Sequence, residues 1–293
     1  MPRQASLLMD ADQFKELAVR LGAQSRGTDQ TQLVDAARSV RDGVVISVGD
    51  VPALPAMADD VSGTPGIPAP YRLDQWTESA QAWNALNDRI SIDVHGATSM
   101  THIDTTEHFS WGNLRQPQPP EGALMHLARN APVGRGILLD IPAAVGRKLE
   151  SGEVVTLADL NIALDLAGTM VAPGDALYIS FGRKTPAHSD VSLGSVPLPG
   201  LSIECAEWIA THRPSVIITD EGLDPFPSEV EGLLVPWHVL LLTVLDIPLV
   251  DRAQMTRLAD YCTQQQRWEF LSVIAPLPIP GASGSPVNPL AVF

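Results

Sequence analysis

The segment THIDTTEHF, Thr101 to Phe109, gathers three side chains able to bind a metal or move a proton: His102, Asp104 and His108. On an extended strand, side chains two residues apart share a face. His102 and Asp104 would therefore stand side by side. An imidazole beside a carboxylate is half of a coordination shell for Zn²⁺ or Mn²⁺. Thr105 and Thr106 can turn the chain and return His108 to the same pocket as a general acid or base. Histidine suits that task because its unperturbed pKa is about 6.5. The same spacing also describes a solvated surface pair, so spacing alone does not define a site.

The elements around this segment read as follows. Residues 11–23 place apolar side chains at helical spacing behind a cap at Asp10, and QTQLVDAARSVRDG (30–43) is a second helix closed by Gly43. VVISVGD (44–50) is a short β-branched strand. Residues 52–72, rich in Pro, Gly and Ala, form a long loop or lid. ISIDV (90–94) and SMTHID (99–104) read as strands. Beyond the proline-rich QPQPPEG, strands and helices alternate. GRGILLDI is a strand, Thr156 and Asp159 open a helix, and PGDALYISFGR is a turn and strand. GLSIECAEWIATHRP is a helix stopped by Pro214, followed by the strand SVIITDEG. PWHVLLLTVLD is a helix, and IPLVD and WEFLSVIAPLPI are strands. This alternation predicts an α/β fold, and the absence of a repeat or clean linker predicts one domain over 1–293, with residues 1–43 as N-terminal helices.

Bulk properties exclude several classes. A formal charge of −15 and a pI near 4.7 give a surface that repels phosphate backbones and anionic lipids, so neither nucleic acid nor membrane is an expected partner. The longest apolar run, VPWHVLLLTVLDIPLV, is broken by His238, Asp246 and Pro248 and reads as a buried helix entering a buried strand. The N-terminal stretch carries early acids and has no signal-peptide core. Two distant cysteines, Cys205 and Cys262, fit a reducing cytoplasm better than a disulfide framework.

Other residues have two readings each. Trp111 walls an aromatic pocket or packs in the core. Asp220 and Glu221 end a strand, where α/β sites gather, and line a pocket or cap a turn. His238 sits in an apolar run, where a lone histidine is usually a structural hydrogen-bonder. Asp251 is a ligand or a surface ion-pair partner. His126, His188 and His212 belong to no pattern. The tail GASGSPVNP lacks the GK[ST] of a phosphate loop and reads as a shaped turn near the site.

THIDTTEHF resembles the H-x-G-T-H-x-D-x-x-x-H signature of the putative cyclase family, which includes kynurenine formamidases and isatin hydrolases. RGTDQTQLVDAARSVRDGVVISVG, PVGRGILLDI, PGDALYISFGR, LPGLSIECAEWI, SVIITDEG, VPWHVLLL and IAPLPIPGASGSPVNPLAVF are similar to successive family segments and resemble a divergent larger bacterial member. The resemblance implies the family's swivelling β/β/α fold, a mixed sheet with flanking helices. It implies a catalytic zinc or manganese held by the first two signature histidines and the Asp, with the last His as acid/base. A later His and a Glu thirteen residues on can hold a second metal. The matching positions here are His102, Asp104, His108 and His238, while Asp251 replaces the Glu. The first histidine falls on Thr98 and the Gly on Met100. A threonine hydroxyl is a poor zinc ligand. His95, seven residues before His102, falls on the opposite face of a regular strand, and only a bulge would bring it in.

These readings predict a metal-dependent hydrolase of a small amide, lactam, lactone or ester. His102, Asp104, His238 and Asp251 would hold the ion and His108 would serve as base, with Asp104 the shared catalytic residue. Thr98, Trp111 and Asp220 are pocket candidates. The gap at Thr98 motivates an alternative, a metal-independent cyclase, dehydratase or isomerase using a His108–Asp104 pair. A third is a non-catalytic binding member. The resemblance further implies a homodimer or homotetramer acting on a small-molecule substrate.

Overall fold

The computed structural model describes residues 2–22, 33–50, 71–80, 83–96, 99–114, 117–183, 196–220 and 222–293. Its first strands are β1 (Val45–Ser47), β2 (Tyr71–Ala80), β3 (Trp83–Ile92), β4 (His102–Asp104), β5 (Val133–Asp140) and β6 (Val154–Val155). They are followed by β7 (Ala176–Ser180), β8 (Gly200–Leu201), β9 (Val216–Thr219), β10 (Leu249–Asp251), β11 (Glu269–Val273), β12 (Gly284–Pro286) and β13 (Leu290–Val292).

Nine of these strands form one mixed sheet in the order β1-β13-β11-β5-β7-β9-β10-β4-β12. Its centre, β5-β7-β9-β10, is parallel, and β4 pairs antiparallel with both β10 and β12. The central strands are apolar runs buried on both faces, as parallel sheets require. Ile137, Leu139, Leu177, Ile179, Ile217 and Leu249 pack on one side. Leu138, Tyr178, Val216, Ile218 and Val250 pack on the other. Helices Ala11–Gly22, Leu157–Ala167, Ala206–His212 and Pro236–Val239 cover the first face. Thr256–Gln265 covers the second.

Local signals account for the helix starts. Asp10 and Gln13 cap the first helix reciprocally, at 2.8 and 2.9 Å. Thr156 and Asp159 form the expected capping box. Other bounds differ. The helix predicted over 200–214 begins at Ala206, because Gly200–Leu201 is drawn into pairing with Val154–Val155. The helix predicted over 30–43 is described as Leu33–Arg38, and Gly43 instead turns the chain at φ +68°, its N–H donating to Phe293 O. The strand predicted over 268–279 ends at Val273, ahead of Pro276 and Pro278, which lack ladder donors. ISIDV is the end of a long hairpin, β2–β3, whose first strand the sequence did not announce. Residues 52–70 of the predicted loop lie outside the described residues, and 71–72 open β2. Among the described residues no helix is long and apolar enough to cross a membrane.

Candidate metal centre

The site forms where the parallel strands give way to antiparallel ones. In β4, His102 and Asp104 share one face while Ile103, fully buried, enters the core on the other. Cross-strand register sets Asp251 opposite His102, and Leu249 and Gly284 opposite Asp104.

Between β3 and β4 the chain is not a regular strand. Gly96 adopts φ +109°, and Ser99 donates to its carbonyl from both N (3.2 Å) and Oγ (2.9 Å). Arg252 Nη1 holds Ser99 O at 3.2 Å, and Thr101 Oγ1 donates to Arg252 O at 2.7 Å. This turn overturns the expectation that His95 lies on the far face: its Nδ1 stands 3.0 Å from Asp104 Oδ1. An imidazole thus reaches Asp104 from position 95. Thr98 itself lies outside the described residues.

Three imidazoles surround Asp104 in one common arrangement. His102 Nδ1 lies 2.7 Å from Met100 O, an acceptor only, so the N–H is on Nδ1 and Nε2 faces Asp104 Oδ1 at 3.4 Å. His238 Nδ1 lies 2.5 Å from Asp224 Oδ2, and its Nε2 faces Asp251 Oδ2 at 3.0 Å and Asp104 Oδ2 at 4.0 Å. His95 Nε2 meets Ser283 Oγ at 3.3 Å and leaves Nδ1 toward Asp104. Each ring spends its outer nitrogen on a protein oxygen and turns its inner nitrogen to the carboxylates, as metal-binding histidines do. The tail supplies Ser283 and Gly284 here, where a Cβ on Gly284 would fall 2.5 Å from His95 Cε1.

His108 closes the cluster. Its N–H bonds to Thr105 O (2.9 Å), the turn expected at Thr105-Thr106. Its ring stacks on His95 with centroids 3.7 Å apart and planes 12° off, and its Nε2 is 3.8 Å from Asp104 Oδ2. Phe109 sits edge-on to His108 (4.6 Å) and 5.3 Å from His238, forming an apolar wall between them. Asp251 is fixed by Thr219 Oγ1 at 3.2 Å as well as by His238.

The electrostatics follow from burial and these contacts. Burial alone would raise the Asp104 pKa, but the polar contact with His95 and the fields of His102, His108 and His238 outweigh it and hold it at about 2. Burial pulls His108 down to about 4 against the opposing pull of Asp104. For His238, burial is opposed by Asp251 and Asp224, which together raise its pKa well above the usual value. Asp251, whose pKa burial would raise, is instead lowered by His238.

Whether these residues suit a divalent cation is decided by two atoms. Asp104 Oδ1 and His95 Nδ1 are buried and, although 3.0 Å apart, neither makes a hydrogen bond. Leaving a carboxylate oxygen buried and unbonded is costly. An ion between the two would satisfy both. Two sets of ligand atoms share Asp104: His95, Asp104 and His108, and His102, Asp104 and Asp251. A cysteine-free N/O set of this kind fits Zn²⁺ or Mn²⁺.

Two sequence candidates are not brought to this point. Asp220 is buried, and its carboxylate accepts from Ser180 Oγ and from the N–H groups of Phe181, Gly182 and Arg183 at 2.8–3.1 Å. It ties down the turn after β7. Trp111 packs edge-on against Phe14 of the first helix, 5.2 Å between centroids. Glu221 lies outside the described residues, as does His188. His126 is an exposed neighbour of Glu121, and His212 stacks on Trp208. Sequence reasoning missed Phe109, Asp224 and Ser283, none of which belongs to a spaced pattern.

The fold and site define an α/β protein with a buried His/Asp centre suited to a divalent ion. The sequence profile of the Putative cyclase family matches residues 67–223, just over half of the chain, and the chain belongs to that family. A crystal structure described as a novel cyclase superposes with a TM-score of 0.74 at 24% identity, covering 93% of this chain and 95% of that one. Isatin hydrolase A from Ralstonia solanacearum has a TM-score of 0.60 at 19% identity, covering 92% and 100%. Isatin hydrolase A from Labrenzia aggregata, bound to benzyl benzoate, has a TM-score of 0.60 at 17% identity, covering 88% and 95%. Among curated proteins no sequence match is found.

Proposed function

We propose that this protein is a metal-dependent hydrolase that opens the acyl C–N or C–O bond of a small amide, lactam, lactone or ester. The observation that carries the reading is the buried, unbonded pair Asp104 Oδ1 and His95 Nδ1, with two further imidazoles turned inward beside it. The likeness of the fold to isatin hydrolases supports a cyclic amide as the first substrate to try.

Asp104 would be the shared ligand, with His95 on one side of it and His102 and Asp251 on the other, and His238 Nε2 beside Asp251 would be a further ligand. The ion is Zn²⁺ or Mn²⁺, and when bound it would polarise the substrate carbonyl and lower the pKa of an attacking water. His108 takes the water's proton. Burial favours the neutral imidazole, so its lone pair is free to accept. The protonated ring then returns that proton to the leaving nitrogen or oxygen. Stacking on His95 and contact with Phe109 hold the His108 ring in place. Phe109 offers an apolar surface to a flat substrate ring and helps exclude bulk water.

The metal-independent alternative rested on the gap at Thr98, and the place of His95 beside Asp104 favours the metal reading over it. Protein stripped with a chelator and reloaded with Zn²⁺ or Mn²⁺ tests the proposal against a panel of lactams, lactones, formamides and esters. Hydrolysis that requires added metal supports it. Undiminished hydrolysis in chelator contradicts it.

A further inference from the structure

We infer that Asp224 is a positioning residue of the metal centre, holding His238 so that its Nε2 faces Asp251 and Asp104. The inference rests on the metal reading above. Asp224 is buried in the loop after β9, at 2% exposure. Its Oδ1 accepts from Trp237 N at 2.6 Å, and its Oδ2 lies 2.5 Å from His238 Nδ1. An ionised carboxylate only accepts, so the ring proton between them belongs to Nδ1. Nε2 then points at the other two carboxylates, donating its hydrogen to Asp251 Oδ2 at 3.0 Å in the metal-free protein and releasing it when an ion binds. Among the outer partners of the three inward-facing rings, Asp224 alone is charged; Met100 offers a carbonyl and Ser283 a hydroxyl.

The surroundings leave Asp224 little freedom. A Cβ on Gly200 would fall 2.3 Å from Pro225 N and 2.6 Å from Asp224 C, so the loop lies directly on β8. Leu201 N bonds to Leu223 O at 2.9 Å, and Trp237 Nε1 bonds back to Leu201 O at 2.7 Å. One carboxylate thus performs two tasks. It satisfies a free N–H at the start of the Pro236–Val239 turn, and it sets the tautomer of His238.

Asparagine separates the two tasks. Its carbonyl oxygen still accepts from Trp237 N. With that oxygen on Trp237 N, its NH₂ takes the place of the Oδ2 that meets His238 N and Nδ1, loses the first contact, and by donating to Nδ1 moves the ring hydrogen to Nε2 and blocks the inner nitrogen.

The experiment measures Zn²⁺ affinity by competition with a chromophoric chelator, alongside the Tm of the metal-free protein. Asp224→Asn is expected to lose about 10–100-fold in affinity, the range typical of an outer partner of a ligating histidine, with a near wild-type Tm. In a His238→Ala background the same change is expected to cost no further affinity. Wild-type affinity in Asp224→Asn, or an equal loss with and without His238, would overturn the inference. So would wild-type affinity in His238→Ala alone, a result that does not depend on how the Asp224 variants fold. Wild-type protein that takes up no zinc would instead sink the metal reading itself, and the inference with it.

Discussion

His95 Nδ1 and Asp104 Oδ1 stand 3.0 Å apart, both buried and neither hydrogen-bonded. The contact joins the turn before β4 to the strand itself. It brings an imidazole to a site whose first signature position carries Thr98.

If His95 is a ligand, His95→Ala should weaken Zn²⁺ binding at least as much as His102→Ala. The loss should be on the order of 100-fold or more, beyond the effect of an outer partner. Thr98→Ala should change it little. The chelator competition assay compares the three directly, and a Thr98→Ala loss matching that of His102→Ala would return the ligand role to position 98.

Gly284 leaves room for that ring. A Cβ there would fall 2.5 Å from His95 Cε1 and 2.6 Å from Ile103 O. Gly284→Ala should cost about 1–3 kcal/mol of stability, as overpacking does, and should lower metal affinity by displacing His95. Urea unfolding together with a zinc titration checks both. Unchanged stability would mean that the tail does not press on the site.

His108 gives the metal-free protein a pH signature. Its folded pKa is about 4, against an unfolded value of about 6.5. The unfolded chain therefore binds the proton more readily, and stability falls as pH drops from about 6.5 toward about 4. Between pH 7 and pH 4.5 the wild type should lose roughly 2–3 kcal/mol more than His108→Gln. Denaturant unfolding of both proteins in chelator at the two pH values measures the difference. Parallel pH dependence would contradict the assigned environment.

Asp220 should behave as a structural residue. Removing its carboxylate takes away an acceptor shared by Ser180 Oγ and the N–H groups of Phe181, Gly182 and Arg183. Asp220→Ala should cost roughly 2–4 kcal/mol while leaving zinc affinity near wild type. Calorimetry and the same titration separate the two effects. A selective loss of affinity or turnover at full stability would restore Asp220 to the site.

How far the site was legible depends on what each residue needed. His102 and Asp104 could be paired from strand periodicity alone, because two residues on a strand share a face whatever surrounds them. The parallel centre of the sheet was legible too, since its strands are apolar without alternation. His95 was not. Its place depends on the backbone at Gly96 and on bonds from Ser99 and Arg252, and counting positions along an ideal strand puts it on the wrong side. His238 and Asp251 were suggested by family likeness, but their contact at 3.0 Å depends on how the Pro236–Val239 helix is seated beside β10, which no spacing shows. Asp224 precedes His238 by fourteen residues with no helical or strand spacing to link them. The hairpin's first strand was missed for a simpler reason: Gln81-Ala82 carries none of the Asn-Gly or Asp-Gly chemistry that marks a tight turn.

The central claim is that Asp104 and His95 share a metal ion. Anomalous diffraction from crystals of zinc- or manganese-loaded protein tests it most directly. The account predicts a single-ion-strength peak about 2.0–2.2 Å from both an Asp104 carboxylate oxygen and His95 Nδ1. No peak among the four imidazoles, or a peak that leaves His95 unbound, would contradict it.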